Sequence, residues 1–208
     1  MLLADIGNSR VHIYNGDEVV HLSHQEAIEQ YGNQELKYIT VKHQLKEQLE
    51  SLEKWENISE LMQIEGQYST MGIDRKALCL SHKSGIFVSA GSAITVDVVE
   101  EGRYLGGFLL PGLRAYIDAY ASISPALKTE LNPQISLNEL AKTTQDAISF
   151  GIIASIKTLI EKYQSNRQLY ITGGDGKLLS QFFTNAIFDE TLIFQGMKNT
   201  IRKDITNV

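Results

Sequence analysis

Cysteine, proline and tryptophan are scarce in these 208 residues: one Cys, three Pro and one Trp. A lone Cys79 excludes an internal disulfide, and in the run Ala77-Leu78-Cys79-Leu80 it reads as a buried structural thiol in a reducing compartment. No apolar run approaches the ~20 residues of a membrane helix, and no basic region precedes the first apolar residues, so neither a span nor a secretory leader is expected. Basic residues are outnumbered, 19 Lys and Arg against 25 Asp and Glu, for a formal charge of −6 and a pI near 5.4. That excludes the positive field on which general nucleic-acid and anionic-membrane binders depend, while leaving room for a local anion site. His12, His21, His24, His43 and His82 show no ligand spacing with Cys or paired carboxylates, so no metal cage is expected. The remainder, 43% hydrophobic and 21% charged, is that of an ordinary globular protein, expected in the cytoplasm.

The stretch Ala4-Asp5-Ile6-Gly7-Asn8-Ser9 organises the chain. A strand begun at Leu2 and Leu3 ends on a carboxylate, then turns through glycine and two small polar residues into Arg10–Tyr14, whose polar and apolar residues alternate. Gly7 lets backbone N–H groups face a phosphate with no Cβ in the way, Asn8 and Ser9 add donors, and Asp5 falls where magnesium beside a phosphate takes a carboxylate. The same residues also describe a plain hairpin. A second copy follows: Ile86–Val99 reads strand, Gly91-Ser92-Ala93, strand. Its offset of 84 residues (Gly91 on Gly7) places Phe87 on Leu3 and Ser92 on Asn8. Two matched hairpins imply two matched halves, which would bracket a triphosphate from both sides; chance likeness of two glycine turns is the alternative.

Along the rest of the chain, Ser23-His24-Gln25-Glu26 is a capping box that starts a helix through Tyr31, and Leu36–Val41 is a strand. Leu45, Leu49, Leu52 and Ile58 predict one amphipathic helix across 42–61. Gly66–Asp74 reads as a loop near the junction of the halves, and Met71-Gly72-Ile73-Asp74-Arg75 opens a helix. The segment 106–112 is a strand meeting a Pro-Gly turn, followed by a helix with Leu113, Tyr116, Ile117 and Tyr120 on one side. Ser136–Glu139 caps a short helical turn. Thr143-Thr144-Gln145-Asp146 caps a helix through about Tyr163, with Gly151 inside it as if another element packed closely. Leu169–Thr172 is a buried strand ending at Gly173-Gly174-Asp175-Gly176, Lys177–Phe183 a helix, Thr191–Phe194 a last short strand, and the tail from Met197 helical or frayed.

Four stretches in this order, Asp5-Ile6-Gly7-Asn8-Ser9, Gly72-Ile73-Asp74-Arg75, Gly91–Asp97 and Thr172-Gly173-Gly174-Asp175, together resemble the type III pantothenate kinases. Gly106-Gly107 with Pro111-Gly112, and Thr144–Ile148 with Gly151, extend the resemblance over nearly the whole chain. It implies an α/β fold of two duplicated ribonuclease-H-like halves, 1–80 and 81–208, with mixed sheets and a nucleotide cleft between them, as in the acetate and sugar kinase/Hsc70/actin superfamily. It implies ATP-dependent phosphorylation of pantothenate, the first step of coenzyme A synthesis, by a homodimer. Another small-molecule kinase of the superfamily, or a regulatory protein that kept the fold, are the competing readings.

By the same resemblance Asp74 is the proton acceptor, and Gly72, Ile73, Arg75, Thr144 and Tyr68 bind pantothenate. Asp5, Ile6, Gly7, Asn8, Ser9, Arg10, Val11 and His12 form the first ATP phosphate loop, with Asp5 also the Mg²⁺ ligand. Ser92 belongs to the second loop, and Gly173 and Gly174 meet the nucleoside. The sequence adds a reason for Thr144, at a helix N-terminus where a hydroxyl and free N–H groups suit a carboxylate. Two residues depart from the family pattern. Ser89 stands where an aspartate holds a monovalent cation (K⁺ or NH₄⁺), so that cation is expected to matter little; and His12, mostly neutral at pH 7, replaces a lysine.

Overall fold

The alternation of apolar side chains that begins at Leu2 yields a sheet with two usable faces. In the computed structural model, which describes residues 1–206, β1 (Leu2–Ile6) pairs antiparallel with β2 (Val11–Tyr14), Asp5 opposite His12, and β3 (Val19–Leu22) adds to the outer edge of β2. α1 (His24–Tyr31) then carries the chain to β4 (Leu36–Thr40), parallel to β1 and aligned Ile6 with Thr40. Its capping box is as expected: the Ser23 hydroxyl accepts the Glu26 N–H at 3.2 Å and the Glu26 carboxylate accepts the Ser23 N–H at 2.8 Å.

Segment 42–61 is not one helix. It forms a 3₁₀ turn at His43–Leu45, α2 (Lys46–Glu50), β5 (Trp55–Asn57) parallel to β4, and another 3₁₀ turn at Ser59–Leu61. The leucines do point inward at helical spacing, but Trp55 overrides the helix beyond them. As a strand residue it is buried and its indole N–H reaches the Tyr31 carbonyl at 3.1 Å, while its backbone completes the edge of β4.

The second sheet repeats the plan. β6 (Gly85–Ala90) and β7 (Ala93–Glu100) form the hairpin, β8 (Arg103–Pro111) lies on the outer edge of β7, and β9 (Leu169–Thr172) and β10 (Ala186–Phe188) run parallel on the other side of β6. The orders β3-β2-β1-β4-β5 and β8-β7-β6-β9-β10 match strand for strand, and at the 84-residue offset Ile6 ends β1 as Ala90 ends β6. The structure is thus α/β with two mixed five-stranded sheets of one topology.

In the first sheet, Ala4 and Ile6 pack with Ala27, Leu49 and Trp55, while Leu3, Tyr14 and Ile39 on the other face pack with α3 (Ile73–Cys79) and α7 (Leu192–Thr206). Asp5 follows the parity of Leu3 and so shares the α3 face. In the second sheet, Ile86, Val88, Val96 and Ile171 pack against α4 (Leu113–Ile123), α5 (Thr144–Gln164) and α6 (Gly176–Ser180). Gly151 of α5 has only the Tyr120 hydroxyl nearby, 3.8 Å from where a Cβ would stand, so no close approach demands glycine there.

Three further expectations are corrected. Ser136–Glu139 is irregular: the Ser136 hydroxyl accepts the Asn138 N–H within a loop instead of capping a helix. α6 is shorter than Lys177–Phe183. Thr191–Phe194 is no strand but the entry to α7, since Phe194, Met197 and Ile201 recur at helical spacing and are buried together.

The chain forms two compact units, each built from segments distant in sequence. One comprises Met1–Lys83, Glu100–Tyr104 and the chain from Glu190; the other comprises Ser84–Val99 and Leu105–Asp189. α7 joins the first because Gly196 lets it press on α3, where a Cβ would stand 1.8 Å from the Ala77 carbonyl oxygen. Asn199 then donates to the carbonyls of Leu80 and Ser81 at 3.1 and 3.0 Å, satisfying the end of α3.

Candidate active site

The turn after β1 is held through its carbonyls. Gly7 N–H donates to the Arg10 carbonyl at 3.0 Å, closing the hairpin. The Ile6 carbonyl accepts the Thr40 hydroxyl and the Val41 N–H, both at 3.2 Å; His24 Nε2 lies 2.9 Å from the Gly7 carbonyl; and Lys42 Nζ donates to the Asn8 carbonyl at 3.0 Å. Asn8, Ser9 and Arg10 are left exposed, while Val11 is buried in the sheet. His24 and Lys42 were not singled out by sequence reasoning. The available signal was the β1–β4 pairing, which brings the residues after Thr40 alongside those after Ile6.

His12 faces Asp5 across the hairpin but turns its Nδ1 to His21 Nδ1, 2.6 Å away, and His21 Nε2 stands 3.8 Å from a Glu190 oxygen. Burial first, then the electrostatic influence of His21 and Arg10, push His12 down to about 4, so its imidazole is neutral at pH 7.

Asp5 is buried and its Oδ1 has no hydrogen-bond partner. Burial, and secondarily the charge of Asp74, raise it from 3.8 to about 7. Asp74 lies in the first turn of α3. Burial raises it too, but the Arg75 N–H, the Arg75 charge and its own N–H act against the rise. Of two carboxylates within electrostatic reach, Asp74 is therefore the one with groups that favour its charge, and Asp5 the one whose charge its surroundings disfavour.

Gly72 is the cap of α3; a Cβ there would stand 2.6 Å from Asp74 Oδ1, so glycine makes room for the carboxylate to fold over the helix start. Arg75 is buried. Its guanidinium donates to the hydroxyls of Tyr68, at 2.5 Å, and Tyr104, at 3.2 Å, and lies 5.8 Å from the Tyr68 ring centre. Tyr68 is thus joined to the Gly72-Ile73-Asp74-Arg75 segment. Tyr104, an unforeseen partner, could not be foreseen from its distance in sequence.

In the second unit the Gly91-Ser92 turn is pressed from two sides. Gly112 N–H donates to the Ser92 carbonyl at 3.2 Å, and a Cβ on Gly112 would stand 2.2 Å from the Gly91 oxygen. Gly173, at φ +92°, lies against Ala90: a Cβ would stand 2.4 Å from its oxygen, and Asp175 N–H donates to the same oxygen at 3.0 Å. Gly112 thus packs on the turn and Gly173 on the strand end that precedes it, and Gly174 has open space around it. The capping hydroxyl of α5 belongs to Thr143, which accepts the Asp146 N–H at 3.1 Å, so Thr144 is the first helical residue and is exposed. Among the described residues no group of three metal-ligating side chains forms a cluster, and no helix is long and apolar enough to cross a membrane.

Comparison with known proteins shows the family. A family model described as type III pantothenate kinase matches residues 55–166. A type III pantothenate kinase of Campylobacter jejuni is 41% identical over 98% of both chains, and one of Helicobacter hepaticus is 40% identical over 99% of this chain and all of its own. A C. jejuni crystal structure, named for the Baf family of transcriptional activators, superposes with a TM-score of 0.90 at 39% identity, covering 99% of this chain and all of that one. More distant matches share the fold alone: a Sinorhizobium meliloti protein named for 2-dehydro-3-deoxygalactonokinase (TM-score 0.59, 9% identity, 98% of both chains) and MreB 5 of Spiroplasma citri bound to AMPPNP (0.51, 12%, 99% and 98%). With identity at this level over its whole length, the chain belongs to the type III pantothenate kinase family.

Proposed function

We infer that this chain transfers the terminal phosphoryl group of ATP to the primary hydroxyl of pantothenate, giving 4′-phosphopantothenate, the first step of coenzyme A synthesis. Family membership supports the reaction; the Asp5–Asp74 pair supports the assignment of roles. Asp74, the carboxylate better able to stay ionised, orients the acceptor hydroxyl and takes its proton. A partly buried aspartate is a somewhat better base than a free one, and in a loose phosphoryl transfer alignment counts for more than basicity. Tyr68, Gly72 and Ile73 frame the acceptor, and Arg75 and Thr144 supply a cation and a hydroxyl for its polar groups. The Asp5–His12 loop and Ser92 receive the phosphates, and Gly173 and Gly174 give the nucleoside room.

The buried, unpartnered Oδ1 of Asp5 fits a hard cation that keeps most of its waters, so Asp5 would hold magnesium. When bound, that ion neutralises phosphate charge. Ser89 lies between Thr95 on β7 and Thr172 on β9, three neutral hydroxyls in place of a carboxylate. The protein works in the cytoplasm as a homodimer. Supporting an interface are Leu105 and Leu109, 53% and 57% exposed on the edge strand β8, and Ile123, 72% exposed on α4.

Incubation with MgATP and a panel of small alcohols is expected to yield phosphopantothenate by mass spectrometry. Asp74→Asn should lower kcat by about 10² to 10⁴ with little change in nucleotide binding; near-native turnover would refute the base assignment. Asp5 gives a second expectation. Its folded pKa is raised above the unfolded value, so its contribution to stability is fully present below about 3.8 and is lost as pH rises through about 7. Urea unfolding without magnesium should therefore show the wild type losing stability relative to Asp5→Asn as pH rises from 4 to 8, by roughly 4 kcal/mol at most. His12, pushed down to about 4, contributes with the opposite sign but does so in both proteins, and a difference that does not change with pH would contradict the expectation.

Replacing potassium by a bulky organic cation should leave the rate nearly unchanged; a large loss would mean that other groups build a cation site. Sedimentation at micromolar concentration should give a dimer, and Leu109→Glu should shift it toward monomer. A monomeric wild type would dismiss the interface.

A further inference from the structure

We propose that Lys42 supplies the positive charge through which the first phosphate loop grips the polyphosphate of the nucleotide. This rests on the reading of Asp5–His12 as a phosphate loop. Parallel pairing of β1 with β4 aligns Ile6 with Thr40, so the residue two beyond Thr40 comes beside the residue two beyond Ile6, and there Lys42 Nζ donates to the Asn8 carbonyl at 3.0 Å. An ammonium has three donors; one is spent on the loop and two remain for an acceptor lying over it. The base of the side chain is fixed as well. Lys42 N–H donates to Thr40 Oγ1 at 3.0 Å, and that hydroxyl donates to the Ile6 carbonyl at 3.2 Å. Lys42 is thus tied at both ends to the turn that follows Asp5.

The charge inventory of the loop points the same way. Asp5 is acidic, and a nucleoside triphosphate adds several negative charges beside it. His12, directly across from Asp5, is committed through Nδ1 to His21. Arg10 is exposed, and its charge acts on Glu26 at the start of α1. In the second unit the corresponding end of β9 carries Gly173, Gly174 and Asp175, which offer backbone approach and no cation. The first loop alone therefore combines exposed donors with a tethered ammonium, the combination a polyphosphate requires.

The test pairs Lys42→Met, which keeps the aliphatic stem, with Lys42→Arg, which keeps the charge, and follows MgATP and AMP by ligand-observed NMR titration. Lys42→Met is expected to weaken MgATP binding about tenfold or more, the loss of a charge-assisted contact, with AMP nearly unaffected and Lys42→Arg restoring most of the loss. Melting temperatures close to wild type would confirm that both variants fold. MgATP affinity within twofold of wild type in Lys42→Met, an equal loss for AMP, or failure of arginine to restore binding would each overturn the proposal. The first of these in an enzyme that still phosphorylates pantothenate removes only the role of Lys42, whereas a wild type that does not bind MgATP removes the nucleotide reading and this proposal with it.

Discussion

Keeping Asp5 and Asp74 within electrostatic reach of each other, in a place largely closed to water, is the constraint on which the first unit depends. Neither carboxylate gains from it in the free protein: burial disfavours both charges, and the charge of Asp74 makes Asp5 harder still to ionise. The surrounding fold offsets the cost only for Asp74, through the N–H groups at the start of α3 and through Arg75. Asp5 is left with a buried oxygen and no partner. A stable core would not retain such an atom for its own sake, and functional sites are where proteins carry such local conflict.

The rest of the unit can be understood as what holds the two residues in place. Asp5 is fixed by the pleat of β1, whose neighbouring residues Ala4 and Ile6 are fully buried on the opposite face. Asp74 is fixed by α3, and α3 is fixed by α7: Gly196 allows contact at backbone distance and Asn199 satisfies the carbonyls at the end of α3. The last helix of the chain therefore secures a carboxylate more than a hundred residues earlier. The two tyrosines on Arg75 act at shorter range, holding the cation beside Asp74 in a site too buried for water to do so.

What the sequence made legible follows from how local each signal was. Hairpins, the capping box at Ser23 and the repeat at 84 residues depend on neighbours in the chain, and each was found as expected. The helix over 42–61 failed because Leu45, Leu49 and Leu52 do recur at helical spacing, and only the edge of β4, unseen in a one-dimensional pattern, makes Trp55–Asn57 a strand. Thr191–Phe194 failed for the converse reason: four residues of β-prone sequence gave way to a helix whose apolar face extends seven residues further, to Ile201. At the site, the residues inside motifs were nameable, while His24, Lys42 and Tyr104 were not, because each reaches its partner only through sheet pairing or tertiary packing.

The two halves share strand order, yet differ where their inner strands end, and the difference is chemical. In the first half those ends carry Asp5, His12, Thr40 and Lys42, a carboxyl, an imidazole, a hydroxyl and an ammonium. In the second they carry Ser89, Thr95, Thr172 and Gly173, neutral hydroxyls and a glycine at φ +92° whose backbone lies against Ala90. A duplicated unit under equal demands would have kept equal residues at equal places. The carboxyl and tethered ammonium of the first copy and the close-approach glycine of the second are therefore different equipment, the one polar and the other steric.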